Sequence, residues 1–141
     1  MSNILTIDCG TTSTRAIVFN KHQPPSNTSQ QPLSLKHPND GWVEQDPNEI
    51  WSKTQQCLIK SISEVGSKNI SAIGITNQRE STIIWNKKTG AAIGPAISWQ
   101  CRRTTSRCND LSHYSDQFRE KTGLPLDPYF SATKFEWLIN E

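Results

Sequence analysis

The sequence lacks most of the features that place a chain at a membrane or on a nucleic acid. It has no run of about 18 apolar residues, so no membrane-spanning helix is expected. Charge of one sign is also missing: Lys and Arg number 15 against 13 Asp and Glu, and the net charge of +2 is dispersed, which argues against a nucleic-acid partner. Met1-Ser2-Asn3 carries no basic region and leads straight into a β-rich run, so a cytoplasmic protein without a secretory signal is expected. Cysteine is sparse. Cys9, Cys57, Cys101 and Cys108 have neither zinc-site spacing nor the density of a disulfide framework, and reduced thiols are the reading. The Gly-Lys-Ser/Thr signature of a P-loop is absent as well. Hydrophobic residues make up only 33% and charged ones 20%. Five Trp and spaced Ile/Leu/Val clusters, in 141 residues, still argue for one folded domain spanning 1–141.

What is present has α/β order. Ile4–Ile7 and Ala16–Phe19 read as a hairpin around Asp8-Cys9-Gly10-Thr11-Thr12-Ser13-Thr14-Arg15. Residues 21–32 carry loop chemistry, and residues 32–36 suggest a third strand. Asp46-Pro47-Asn48-Glu49 is a helix start, with Asp46 as cap, Pro47 in the first turn and Glu49 placed to complete a capping box. Ile50, Trp51, Thr54, Cys57, Leu58, Ser61, Ile62 and Val65 then share one helical face, and Gly66 ends the helix. Residues 70–75 read as a buried strand. Residues 81–85 and 96–99 read as two more, with a turn at Asn86–Gly90. From Arg102 the pattern is helical, broken near His113 and at Gly123-Leu124-Pro125, and a last helix runs from Ser131 without a stop signal at Glu141. This order predicts an α/β domain with a mixed sheet.

Two stretches carry chemistry. Asp8 closes an apolar strand, and a carboxylate there can hold Mg²⁺, a cation that prefers hard oxygen ligands. Gly10 lets the backbone approach a phosphate, and the amides and hydroxyls of Thr11, Thr12 and Ser13 can donate to phosphate oxygens. Arg15 adds forked donors. The same residues also suit an ordinary polar hairpin turn whose hydroxyls cap their own backbone. The second stretch, Thr76-Asn77-Gln78-Arg79-Glu80, leaves a strand. Glu80 can accept from the hydroxyls of a diol and Arg79 can donate to them. Trp99 can pack on the carbon backbone of such a ligand, and Tyr129 offers another hydroxyl. Taken singly, Arg79 and Glu80 also read as a solvated charge pair, and Trp99 and Tyr129 as core packing.

In combination these stretches resemble the glycerol kinases, a branch of the carbohydrate-kinase family built on the actin/Hsp70/hexokinase fold. The resemblance is carried by Asp8–Arg15, Gly41–Pro47, Ala72–Glu80, Trp85–Gly90, Trp99–Thr104 and Thr122–Ser131, in family order along nearly the whole chain. Asn77-Gln78-Arg79-Glu80 with Trp99-Gln100-Cys101-Arg102-Arg103-Thr104 points to the glycerol members over the xylulose or gluconate members. The resemblance implies an α/β, ribonuclease H-like (actin-like ATPase) domain, incomplete at this length, with a mixed sheet flanked by helices. It implies ATP and Mg²⁺ as cofactors and glycerol as substrate. Asp8 would position the metal, and Thr11, Thr12, Ser13 and Arg15 would line the nucleotide phosphates, with Thr11 close to the transferred group. Arg79, Glu80, Trp99 and Tyr129 would hold glycerol. No catalytic residue is assigned within the chain: the family's general base, an Asp followed by Gln, and its adenine pocket belong to a later C-terminal domain, and Asp116-Gln117 lies in a helical run with the wrong surroundings. The resemblance further implies a homo-oligomer when intact. Cys9 departs from the family's usual Gln. The unfinished last helix also fits a non-catalytic truncated paralogue or one half of a split protein acting as a binding domain. A nucleotide-driven ATPase of the same fold would need no diol site.

Overall fold

The computed structural model describes residues 3–140, apart from the side chains of Gln23, Ser26 and Asn27. The chain forms two compact units. One comprises the residues up to Ser34 together with Asp46–Gln78; the other comprises Leu35–Gln45 and the residues from Arg79 onward.

The first unit is built on the hairpin. β1 (Asn3–Cys9) and β2 (Ser13–Asn20) pair antiparallel, with Leu5 opposite Val18 and Asp8 opposite Arg15. β3 (Gln23–Pro32) adds antiparallel to β2, and β5 (Ile70–Asn77) adds parallel to β1, giving a mixed sheet in the order β3-β2-β1-β5. The stretch expected as a loop at 21–32 is therefore mostly a strand. Its prolines hid it: proline removes a ladder donor, which an edge strand tolerates. Conversely, Leu33–Leu35 form no strand, and only Lys36 bridges to Glu44.

α1 (Pro47–Val65) crosses back over one face of this sheet. Asp46 caps it, accepting from the Asn48 amide at 2.8 Å, and Gly66 ends it at φ +79° with its amide on the Ile62 carbonyl. The capping box does not close, because the Glu49 carboxylate turns to Ser34 and to Lys53, one helical turn on. The buried stripe of α1 is small and polar, and each member bonds the sheet. Ser61 Oγ donates to the Ala16 carbonyl at 3.1 Å, Cys57 Sγ to the Thr14 carbonyl at 3.6 Å, and the Thr54 and Thr14 hydroxyls lie 2.8 Å apart. Between them Leu5, Ala16, Val18 and Cys57 form the core, flanked by Leu58, Ile62, Val65 and Ile70. Full burial of a side chain such as Leu5 stabilises by about 1.5–3 kcal/mol. Trp51 leaves the expected face and is 60% exposed. β5, expected to be buried, is a sheet edge. Its Ile73 and Ile75 share the α1 side by register with Leu5 and Ile7 but lie beyond the helix and are exposed.

The second unit holds a two-stranded antiparallel ribbon of β4 (Glu44–Gln45) and β6 (Ala96–Ile97). Residues 81–85 do not form the expected continuous strand; Thr82 bridges to Ile97 and Trp85 to Ala92 instead. The turn at Asn86–Gly90 forms as expected, with the Asn86 carboxamide accepting from the Lys88 and Thr89 amides. α2 (Thr105–Asp110), α3 (Ser115–Thr122) and α4 (Ser131–Asn140) follow. The breaks come where the sequence puts them, at a 3₁₀ turn through His113 and at Gly123 in the left-handed conformation. α4 docks on α2 through Thr133 to Thr104 and through Arg107 to Glu136. The core of this unit is Val43, Ile97 and Cys101, with Leu35, Trp42, Trp137 and Leu138 packed on it. Glu141 lies outside the described residues. Among those residues no helix is long and apolar enough to cross a membrane.

Candidate functional site

The residues singled out from the sequence fall into two groups, one in each unit. In the first, the bend between β1 and β2 is Gly10-Thr11-Thr12. A Cβ at Gly10 would sit 2.9 Å from the Ser13 carbonyl oxygen, closer than real contacts allow, so the tightness of the bend itself demands glycine. β3 and the residue after it brace the bend from outside: the Leu33 amide donates to the Thr12 carbonyl at 2.9 Å and Gln30 Nε2 donates to Ser13 Oγ at 3.0 Å. Thr12 is exposed; Thr11 and Ser13 are half-buried.

Alternation along β1 sends neighbouring side chains to opposite faces. Asp8 takes the face away from α1, opposite Arg15, whose Nε and Nη2 both donate to Asp8 Oδ2, at 3.0 and 2.5 Å. Arg15 thus stands on the sheet beside the bend, engaged with the carboxylate. Cys9 takes the other face, where its sulfur lies 3.8 Å from Thr54 Oγ1 on α1. Among the described residues no cluster of three or more His, Cys, Asp or Glu could cage a metal ion; Asp8 is a lone carboxylate beside the bend.

In the second unit, Glu80 has φ +62° and is the one non-glycine with a positive φ among the described residues. Such a conformation costs about 1–3 kcal/mol and persists only where surrounding contacts impose it. The contacts here come from the start of α4. Ser131 donates to Glu80 Oε2 from its amide at 3.1 Å and from Oγ at 2.9 Å, so the carboxylate sits at the N-terminus of the helix. Lys134 Nζ donates to the Glu80 carbonyl at 3.1 Å and to the Tyr129 carbonyl at 2.7 Å. Lys134 is fully buried, and that burial pulls its pKa below the ordinary lysine value, opposed by the nearby Cys101, Glu80 and Asp127.

Tyr129 is presented by a turn in which its amide donates to Asp127 Oδ1 at 2.8 Å, and Arg102 Nη1 donates to that same oxygen at 2.9 Å. Its ring meets Trp99 edge-on, 5.7 Å between centroids at 64°. The Trp99 amide in turn donates to Ser81 Oγ, next to Glu80. The structure therefore brings Glu80, Trp99 and Tyr129 together. Arg79, adjacent in sequence, is exposed. Sequence reasoning missed Ser131 and Lys134. A signal for Lys134 existed: it falls four residues before Leu138, on the inward face of α4, where a lysine is out of place unless it holds something.

The residues so placed can be compared with known proteins. The chain matches the FGGY family of carbohydrate kinases, N-terminal domain, over residues 3–141. It is 49% identical over 141 residues to a glycerol kinase of Halothermothrix orenii and 47% identical to one of Bacillus subtilis, in each case over 97% of this chain and 28% of the relative. A crystal structure of Plasmodium falciparum glycerol kinase with ADP superposes with a TM-score of 0.91 at 31% identity, covering 100% of this chain and 29% of that one. A xylulose kinase of Lactobacillus acidophilus shares the fold, with a TM-score of 0.89 at 24% identity. The chain thus spans about 28% of the length of the curated relatives it matches.

Proposed function

The chain belongs to the FGGY family of carbohydrate kinases, and from that membership we propose that it is the N-terminal part of an ATP-dependent glycerol kinase. The reaction moves the γ-phosphoryl group of ATP to a terminal hydroxyl of glycerol, giving glycerol 3-phosphate and ADP. The observation that carries this reading is Glu80, a carboxylate held in a strained backbone conformation beside the Trp99–Tyr129 pair. Such an arrangement suits a small diol. Glu80 accepts from hydroxyls, exposed Arg79 donates to them, and the aromatic edges cover the carbon chain. A site built for hydroxyls rejects analogues that lack them, because its own polar groups would then be left unpaired.

In the other unit, the amides and hydroxyls of Thr11, Thr12 and Ser13 are the phosphate-facing groups in this reading, and Arg15 fixes the orientation of Asp8. A lone carboxylate with one oxygen bound by Arg15 fits Mg²⁺, which takes one or two protein carboxylates and fills its other positions with water and phosphate. When bound, the metal neutralises charge on the transferring group. No residue of the chain is assigned as general base, and exposed Asp116 on α3 is given no role. The same reading makes residues 1–141 part of an N-terminal carbohydrate-kinase domain in an oligomeric cytoplasmic enzyme. The test is ADP release by the protein at its full natural length with glycerol, xylulose or gluconate as acceptor. Glycerol is expected to be preferred, and Glu80→Gln is expected to raise its KM at least tenfold by weakening a charged hydrogen bond. Equal turnover of all three acceptors would refute the reading.

A further inference from the structure

We propose that Lys134 is a positioning residue for the polyol clamp: its buried ammonium sets the main-chain geometry that aims Glu80 and Tyr129 at one ligand. The proposal rests on the glycerol reading above and deepens it.

The argument begins with what Lys134 does not bond. An ammonium removed from water is normally met by a carboxylate. Lys134 is 0% exposed, yet among the described residues its Nζ forms no ion pair. It donates to two main-chain carbonyls, and they belong to Glu80 and Tyr129. The Glu80 carboxylate is turned instead to Ser131. Asp127 is bonded by Arg102 and by the Tyr129 amide.

A lysine kept only to fill space would be replaced at lower cost by an apolar chain of the same length, since the ammonium is disfavoured by burial. Its placement makes sense as a tether. Residues 80 and 129 lie 49 positions apart, and no ladder hydrogen bond joins them. The single ammonium bonds the carbonyls of both. Ser131, one helical turn earlier, holds the Glu80 side chain, so the first turn of α4 grips this residue at both its carboxylate and its carbonyl. Without the ammonium, the left-handed conformation at Glu80 loses a bond that opposes its relaxation, and the carboxylate swings away from the position it would hold toward a diol.

The experiment uses the protein at its full natural length. Lys134→Met keeps length and volume and removes the donors. Its glycerol KM is expected to rise about tenfold or more, while the ATP KM stays within about twofold. Thr133→Val serves as the control, because Thr133 is buried one position away and bonds Thr104 but neither Glu80 nor Tyr129. It is expected to lower Tm and leave the glycerol KM unmoved. A Lys134→Met enzyme that loses stability but keeps its glycerol KM overturns the proposal alone. Wild-type protein that fails to phosphorylate glycerol overturns both the polyol reading and the proposal. A second measurement needs no variant: in wild-type protein, saturating glycerol is expected to slow amide exchange at residues 80–82 and 129–134 together. Protection confined to 80–82 overturns the tether even if Lys134→Met does not fold.

Discussion

Arg103 offers the sharpest test of how the second unit is held together. Its side chain is 0% exposed. The guanidinium carbon lies 3.9 Å from the ring centroid of Trp42 and 4.4 Å from that of Trp137, and the two rings meet edge-on at 5.3 Å and 87°. Nη2 donates to Glu44 Oε1 at 2.6 Å, Nε donates to Cys101 Sγ at 3.1 Å, and Nη1 is buried without a partner. One carboxylate therefore balances a cation that water does not reach. Glu44→Gln keeps the shape and an acceptor oxygen and removes the charge. Unit charges roughly 4 Å apart attract by about 4 kcal/mol at an effective dielectric near 20, and breaking a buried pair from one side costs about 3–5 kcal/mol. Because the carboxamide still accepts one bond, the expectation is the lower end, about 3 kcal/mol.

Arg103→Met removes the cation and two ring contacts worth about 0.5–2 kcal/mol each, and it leaves Glu44 with 14% exposure, nearer to water. It is expected to cost about 3 kcal/mol. The double variant buries no charge at all, so it should cost about 3 kcal/mol and not the sum, a coupling of about 3 kcal/mol. Urea denaturation followed by tryptophan fluorescence reads this unit well, because Trp42, Trp85, Trp99 and Trp137 lie in it and only Trp51 lies elsewhere. With a slope of about 2 kcal/mol per molar urea, Glu44→Gln should lower the midpoint by about 1.5 M. A Glu44→Gln cost below about 1 kcal/mol, or strictly additive variants, would refute the claim that this pair is desolvated and coupled.

Two further outcomes follow from the first unit. Gly10→Ala should destabilise by about 1–3 kcal/mol, because its Cβ meets the Ser13 backbone, whereas Gly74→Ala, whose Cβ would lie 3.7 Å from Thr6 Cγ2, should be neutral or stabilising by up to about 1 kcal/mol; equal effects in thermal unfolding would contradict the bend geometry. Glu49 is held below the ordinary carboxylate range by its hydrogen bond to Lys53, with Ser34 adding to it. A depressed folded pKa adds stability above the unfolded value of about 4.3 and loses it as pH falls through the lower folded value. Wild type and Glu49→Gln should therefore converge in stability on acidification below about pH 4, and a gap unchanged from pH 7 to pH 3 would count against the pairing.

The parts of this fold that could be read from the sequence are those encoded locally. The caps of α1, the Asn86–Gly90 turn and the Gly123 break each depend on residues a few positions apart. β3 was hidden because its ten residues, Gln23–Pro32, include three prolines and no apolar alternation; only its neighbour β2 makes it a strand. The β5 sequence misleads in the opposite sense. An Ile-rich run predicts burial, and nothing within the run says that α1 stops short of it. Within the candidate site, the conformations were not legible. Glu80 takes a positive φ because Ser131 and Lys134 hold it from 51 and 54 positions away, and no local pattern around residue 80 carries that information. The Arg15–Asp8 pair is a matter of register, since a shift of one residue would put the two side chains on opposite faces.

In the proposed kinase the two units solve a common physical problem in the same way. A carboxylate that must meet a ligand in one orientation loses rotational freedom at the moment of binding unless that freedom has already been removed. In each unit one carboxylate oxygen is fixed by paired donors from a single residue: Asp8 Oδ2 by Nε and Nη2 of Arg15, and Glu80 Oε2 by the amide and hydroxyl of Ser131. Two donors on one oxygen restrict the rotation of the carboxylate before any ligand arrives. The donors differ as their surroundings require. A guanidinium serves on a sheet face where both groups keep partial access to water. A helix N-terminus serves at Glu80, where the one nearby ammonium, that of Lys134, is already committed to the main chain. If the proposed reading holds, such preorganisation suits phosphoryl transfer, whose chemistry rests on positioning and charge placement more than on covalent steps.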